Sequence, residues 1–223
     1  MSRAALAPSD TPAAVPRIWA RRSSSSAQKV YWTLEELGLP YEQIDAGRSF
    51  GVVDTPEYRA KNPNGLVPTL EEPDGFTLWE SNAIIRYLGG RHGAPHFWPD
   101  DVRVRADADR WMEWANSTLL PAVNPIFARL VLRHGGEADA EFVAAQVARS
   151  KTAFAILSDR LADRPFVAGD HLTFGDIPLG MIVNRWFKLP IERPELPVIS
   201  AYYARLQQRE PYVRNVVNAP PVI

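Results

Sequence analysis

Apolar residues change their spacing along the chain, and each change predicts a different element. Arg17-Ile18-Trp19-Ala20 has the character of a short buried strand, and the polar run from Arg21 to Ser26 follows it as a turn. From Ala27 the residues Val30, Tyr31, Leu34, Leu37 and Leu39 recur at near-helical spacing with Glu35 and Glu36 outward, and Gly38-Leu39-Pro40 stops the helix. Tyr41 to Ile44 predicts a second strand, and Pro56 opens a short helix over Thr55 to Lys61. Leu66 to Leu70 and Phe76 to Trp79 form a hairpin around Glu71-Glu72-Pro73-Asp74-Gly75. The helix that starts at Ser81 turns Ile84, Ile85, Tyr87 and Leu88 inward and is predicted to end at Gly89-Gly90. Up to residue 90 the order is strand, helix, strand, helix, strand, strand, helix, with the first two strands parallel.

Beyond Pro99 the pattern is helical throughout, over Asp101 to Arg133, Asp139 to Leu161, Ile177 to Phe187 and Leu196 to Arg209. Pro121 and Pro125 are predicted to break or bend the first of these. Thr173 and Asp176 suggest a capping box, each side chain accepting from the other's backbone amide, with a role in folding. These shifts divide the chain into a flexible tail over 1–16, an α/β domain over 17–90, a Gly- and Pro-bearing linker over 91–101 and an all-helical domain over 102–223.

The 223 residues suffice for a substantial core, and 25 basic against 26 acidic residues give a net charge of -1. Without a basic stripe or an apolar run of membrane-spanning length, nucleic acid and membrane partners are not expected, and a cytoplasmic location is. The absence of cysteine excludes disulfides, a cysteine nucleophile and redox cycling on protein sulfur, so any thiol chemistry belongs to a ligand. The four histidines lack metal-pair spacing, and no metal is expected.

Four local patterns then fall in one order: the serine turn before Gln28-Lys29-Val30, Asn62-Pro63-Asn64-Gly65-Leu66-Val67-Pro68-Thr69-Leu70, Trp79-Glu80-Ser81-Asn82-Ala83-Ile84, and Thr173 to Asp176. Taken singly, a serine run reads as loop or cap, and Glu80-Ser81 as a helix start. Together, over Arg17 to about Tyr212, they resemble the cytosolic glutathione transferase superfamily, in a bacterial-type, serine-dependent, theta- or nu-like form. The resemblance implies a thioredoxin-like glutathione-binding domain followed by an all-α domain.

It further implies glutathione as co-substrate, a cis peptide before Pro68, backbone pairing of the ligand at Val67, and capture of its glutamyl end by Glu80 and Ser81. Counting back from Val30 against family members places the thiol-activating residue on Ser24, with Ser26 second. Phe50, with Arg48, is expected over part of the glutathione site. Trp111, Trp114 and Phe127, at helical spacing, are candidates to line an apolar electrophile pocket, although core is the commoner use of such a cluster. A homodimer is implied, with helices after Asp101 packing on the partner's first domain. The implied activity is attack of an activated glutathione thiol on an apolar electrophile or peroxide; the alternative is a non-catalytic binding or regulatory protein of the same fold.

Overall fold

A computed structural model describes residues 15–134 and 140–221. The predicted N-terminal tail therefore lies outside the described residues, apart from Val15 and Pro16. Strand β1 (Arg17–Trp19) leads into helix α1 (Ser25–Glu36), then β2 (Glu42–Ile44), a 3-10 turn at Arg48–Phe50, α2 (Pro56–Lys61), β3 (Thr69–Glu71), β4 (Thr77–Trp79) and α3 (Ser81–His92). The sheet order is β2-β1-β3-β4. β1 pairs parallel with β2, Ile18 opposite Gln43, and antiparallel with β3, Ile18 opposite Leu70. β3 and β4 form the expected antiparallel hairpin. Ile18, Val30, Tyr31, Leu34, Leu70, Ile84 and Leu88 close the core between this sheet and helices α1 and α3.

The helical part comprises α4 (Val102–Trp114), α5 (Leu120–Leu130), α6 (Ala140–Leu161), α7 (Asp176–Lys188), α8 (Pro197–Leu206) and α9 (Glu210–Tyr212). A wide π-turn at Ala115–Leu119 joins α4 to α5, just ahead of Pro121. Its longer hydrogen-bond step accommodates the proline that cannot donate, so the predicted bend takes the form of a change of pitch.

Two sequence expectations need correction. Helix α3 runs through Gly89 and Gly90 to His92; a Cβ at Gly89 would stand 2.8 Å from the Trp98 ring, so this glycine permits a close approach and does not stop the helix. At Thr173 only half of the box forms. The Asp176 carboxylate accepts from the Thr173 amide at 3.0 Å, but the Thr173 hydroxyl donates to the same carboxylate, and the Asp176 amide bonds the Thr173 carbonyl. Val167 N–H and the Tyr202 hydroxyl complete four donors on this buried acid. Burial nevertheless drives its pKa upward, against those donors.

One side chain joins the two cores. Trp32, from α1, is fully buried within the helical cluster, its ring 4.7 Å from that of Tyr212. A Cβ on Gly180 of α7 would lie 2.8 Å from the Trp32 ring, so glycine is what lets α7 come this close to α1. Truncating Trp32 to Ala would cost about 3–5 kcal/mol. Arg22–Asn215, Arg209–Glu36 and Arg214–Glu35 contacts reinforce the same seam at its rim.

Candidate functional site

The site is assembled on the loops and helix starts facing the seam. Asn62, buried at the end of α2, donates to the Leu66 carbonyl at 2.8 Å and the Thr69 hydroxyl at 3.0 Å. The Tyr58 hydroxyl donates to the same Leu66 carbonyl at 2.6 Å. This network fixes the segment in which the Val67–Pro68 peptide is cis, as the family resemblance implied. No other backbone group among the described residues takes the Val67 amide or carbonyl, leaving an extended edge open to a ligand.

Glu80 follows with φ +68°, a left-handed conformation that a non-glycine residue adopts at a cost of about 1–3 kcal/mol. That turn swings the chain from β4 directly into α3, whose first residue Ser81 is buried. Among the described residues no side chain caps this helix start, so its free amides and positive dipole end suit a carboxylate. Ser26, Asn62, Asn64, Val67, Pro68, Glu80 and Ser81 border a pocket of about 100 Å³, the loop pocket.

The serine turn meets it from α1. Ser24 is the N-cap of that helix, largely buried, and its hydroxyl accepts from the Ala27 amide at 3.4 Å. Its own proton has no protein acceptor among the described residues. Ser25 accepts from Arg185, Nη2 to Oγ 2.6 Å. Ser26 lines both the loop pocket and an adjoining central cavity of about 530 Å³, whereas Ser24 lines neither.

Charges gather around the central cavity. Lys29 is almost fully buried, donates to Asn82 Oδ1 at 2.8 Å, and is pushed down to about 8 by burial, with Glu80 pulling the other way. Arg86 pairs with Asp109 at 2.6 Å and with Glu113, tying α3 to α4. Arg185, on α7, reaches Asn124 Oδ1 at 2.7 Å and lies 4.2 Å above the Phe127 ring. Burial lowers its pKa to about 10.

A third cavity of about 330 Å³, the tail cavity, opens between α5, α7 and the C-terminal segment and shares Ser25, Met181 and Arg185 with the central one. Phe127 lines it. Trp111 and Trp114 line none of the three cavities: Trp111 is in the helical core, 5.1 Å from Trp114, with Arg160 over its ring. Phe50 stands half-exposed on the 3-10 turn, also outside the three cavities.

Lys29 and Arg185 were not anticipated. Ser25, Lys29 and Thr33 are spaced four apart on α1, a polar line that continues the serine turn, and Arg185 interrupts the apolar run of α7. Both signals are present in the sequence and point to this seam.

Comparisons with known proteins agree with this geometry. Residues 23–91 match the family model for the glutathione S-transferase N-terminal domain, and residues 140–205 that for its C-terminal domain. Glutathione S-transferase GstB of Escherichia coli K12 is 40% identical over 204 residues, covering 91% of this chain and 98% of its own. Glutathione S-transferase 4 of Zea mays is 30% identical over 216 residues, 95% of each chain. A theta-class glutathione S-transferase from Xanthomonas axonopodis pv. citri, solved with glutathione bound, superimposes with a TM-score of 0.84 at 44% identity over 92% of this chain and 98% of that one. An unpaired backbone edge beside a cis proline, a bare helix start and a serine turn, set in a chain matched almost end to end by these relatives, lead to one conclusion: this protein belongs to the glutathione S-transferase family.

Proposed function

We propose that the protein conjugates glutathione to electrophiles, binding the tripeptide along the loop pocket and central cavity and presenting its sulfur to a substrate in the tail cavity. The observation that carries this reading is the free Val67 edge beside the bare α3 start, with Ser26 on the wall of the same pocket. Val67 pairs with the cysteinyl backbone, the α3 amides and Ser81 receive the glutamyl carboxylate, and Glu80 takes its ammonium.

A free thiol has a pKa of about 8.5, and lowering it by about two units requires roughly 2.7 kcal/mol of preferential anion stabilisation. Ser24 is our candidate donor: its proton is unspent, and it stands at the positive end of α1. Ser26 is the second, on the strength of its place in the pocket wall. The thiolate then attacks the electrophile directly, since the chain has no cysteine to form a mixed disulfide. The relatives' activities speak for turnover and leave the non-catalytic alternative without support of its own.

We further propose a cytoplasmic enzyme that disposes of reactive electrophiles as a homodimer. Val102 and Val104 stand 65% and 38% exposed on α4, and Phe76 in the first domain is 45% exposed, which suits mutual burial across a two-fold axis. No helix among the described residues is long and apolar enough to cross a membrane.

Titration with reduced glutathione near neutral pH, read by calorimetry and by ultraviolet thiolate absorbance, tests the catalytic reading. Saturable binding with a thiolate signal is the expected result. Binding without thiolate would remove the activating role, and no binding at millimolar concentration would remove the function. Light scattering tests the dimer.

A further inference from the structure

The tail cavity differs from an ordinary apolar substrate pocket in its charges. Phe127, Val131, Met181, Leu189 and Val216 give it apolar walls, yet Arg185 and Lys188 also line it, and among the described residues no Asp or Glu does. Among the described residues Arg185 makes no ion pair within 4 Å; its partners are two neutral oxygens, on Asn124 and Ser25. These use two of five guanidinium N–H donors. Lys188 donates to the Val217 carbonyl, again a neutral partner. The cations on the far side are compensated differently: Arg86 is held by Asp109 and Glu113, and Lys29 feels Glu80. A part-buried guanidinium without a counter-ion, facing an open cavity beside the serine turn, is a ready carboxylate receptor.

We propose that the second substrate of this enzyme is an electrophile with an apolar body and a carboxylate, the carboxylate being received by Arg185 with help from Lys188. This rests on the conjugation reading above and specifies its substrate class. A carboxylate, with two oxygens and one charge, fits the planar fork of Arg185. Held by its carboxylate at Arg185, which itself donates to Ser25, the substrate places its reactive carbon the length of its apolar body away, towards the bound thiol. With a benzylic chloride, the thiolate lone pair forms the C–S bond as the C–Cl bond breaks, chloride leaves with the bonding pair, and the thiol proton has already passed to solvent.

The test compares 4-(chloromethyl)benzoate with the isosteric neutral 4-(chloromethyl)benzamide in steady-state assays at low salt. The wild-type protein is expected to favour the carboxylate in kcat/KM by about tenfold or more, mainly through KM. Arg185→Gln should abolish that ratio and Arg185→Lys should retain part of it. If Arg185→Gln does not fold, Lys188→Gln, at an exposed position, should still reduce the ratio severalfold. Equal kcat/KM values in the wild-type protein, or a preference unchanged in the variants that fold, overturn the proposal while leaving conjugation intact. Should glutathione bind without either chloride being consumed, conjugation falls and the affinities of S-(4-carboxybenzyl)glutathione and its carboxamide analogue decide: tighter binding of the acid, lost in the variant, supports the Arg185 site, and equal binding overturns it. Failure of both conjugates to bind overturns both readings.

Discussion

The loop pocket and the tail cavity each adjoin the central cavity and are built from different material. Main chain makes the first: a cis peptide, a left-handed Glu80 and a helix start, locked from behind by Asn62 and Tyr58. Side chains of α5 and α7 and a C-terminal segment make the second, which includes Ala219, Pro220 and Pro221. Backbone geometry depends little on the identity of each residue, whereas a wall of side chains changes with every substitution. The contrast teaches that one ligand is held constant here while the other is open to selection, a division suited to an enzyme with an invariant co-substrate.

Four measurements would break or sharpen that contrast. The largest effect is expected from Ser24→Gly, which preserves helix capping to within a few tenths of a kcal/mol but removes the hydroxyl. Catalytic efficiency should fall by about 10²–10³ for every electrophile, as on loss of an oxyanion donor, while calorimetry still detects glutathione binding. A comparable loss in Ser26→Ala and none in Ser24→Gly would move the role to the pocket wall.

Next comes Lys29. Its pKa is lowered from 10.5 to about 8 in the folded chain, so between those pH values the unfolded chain holds more protons and stability rises with pH. Denaturant titrations of wild type against Lys29→Met should show the wild type gaining about 3 kcal/mol on the variant across that window. A flat difference would mean that the glutathione side bears no buried-charge cost. Asn62→Ala should cost about 1–3 kcal/mol in stability and weaken glutathione binding, because it leaves the Leu66 carbonyl and the Thr69 hydroxyl short of a donor. Equal effects on glutathione and electrophile affinity would erase the distinction between the two pockets. The smallest effect should follow truncation after Asn218. Electrophile KM should rise a few-fold, under about 1 kcal/mol, with glutathione affinity unchanged.

Much of the first domain was legible in the sequence because its determinants are local. Gly38-Leu39-Pro40 announces the end of α1 within a few residues, and the order of strands and helices along the chain follows from spacing, whereas the cis form at Pro68 came from the family resemblance. The tail cavity was less so. Trp111, Trp114 and Phe127 share helical spacing, yet only Phe127 reaches a cavity, since the outcome depends on which neighbours α4 and α5 meet. Likewise, Lys29 and Arg185 are cations in apolar helices whose use depends on how α1 and α7 are brought together, 156 positions apart in the chain by their numbers. At Thr173 the right residues were identified but the direction of one hydrogen bond was not, because a hydroxyl both donates and accepts.

Trp32 belongs to one domain by chain and to the other by burial. A shuffling experiment that exchanges the α/β halves of two such enzymes would therefore carry the indole away from its socket and leave the Gly180 notch facing a residue shaped for another partner. Chimeras should succeed when the residue at 32 travels with the α7 that receives it, so the inheritable unit is the fitted pair and not the domain.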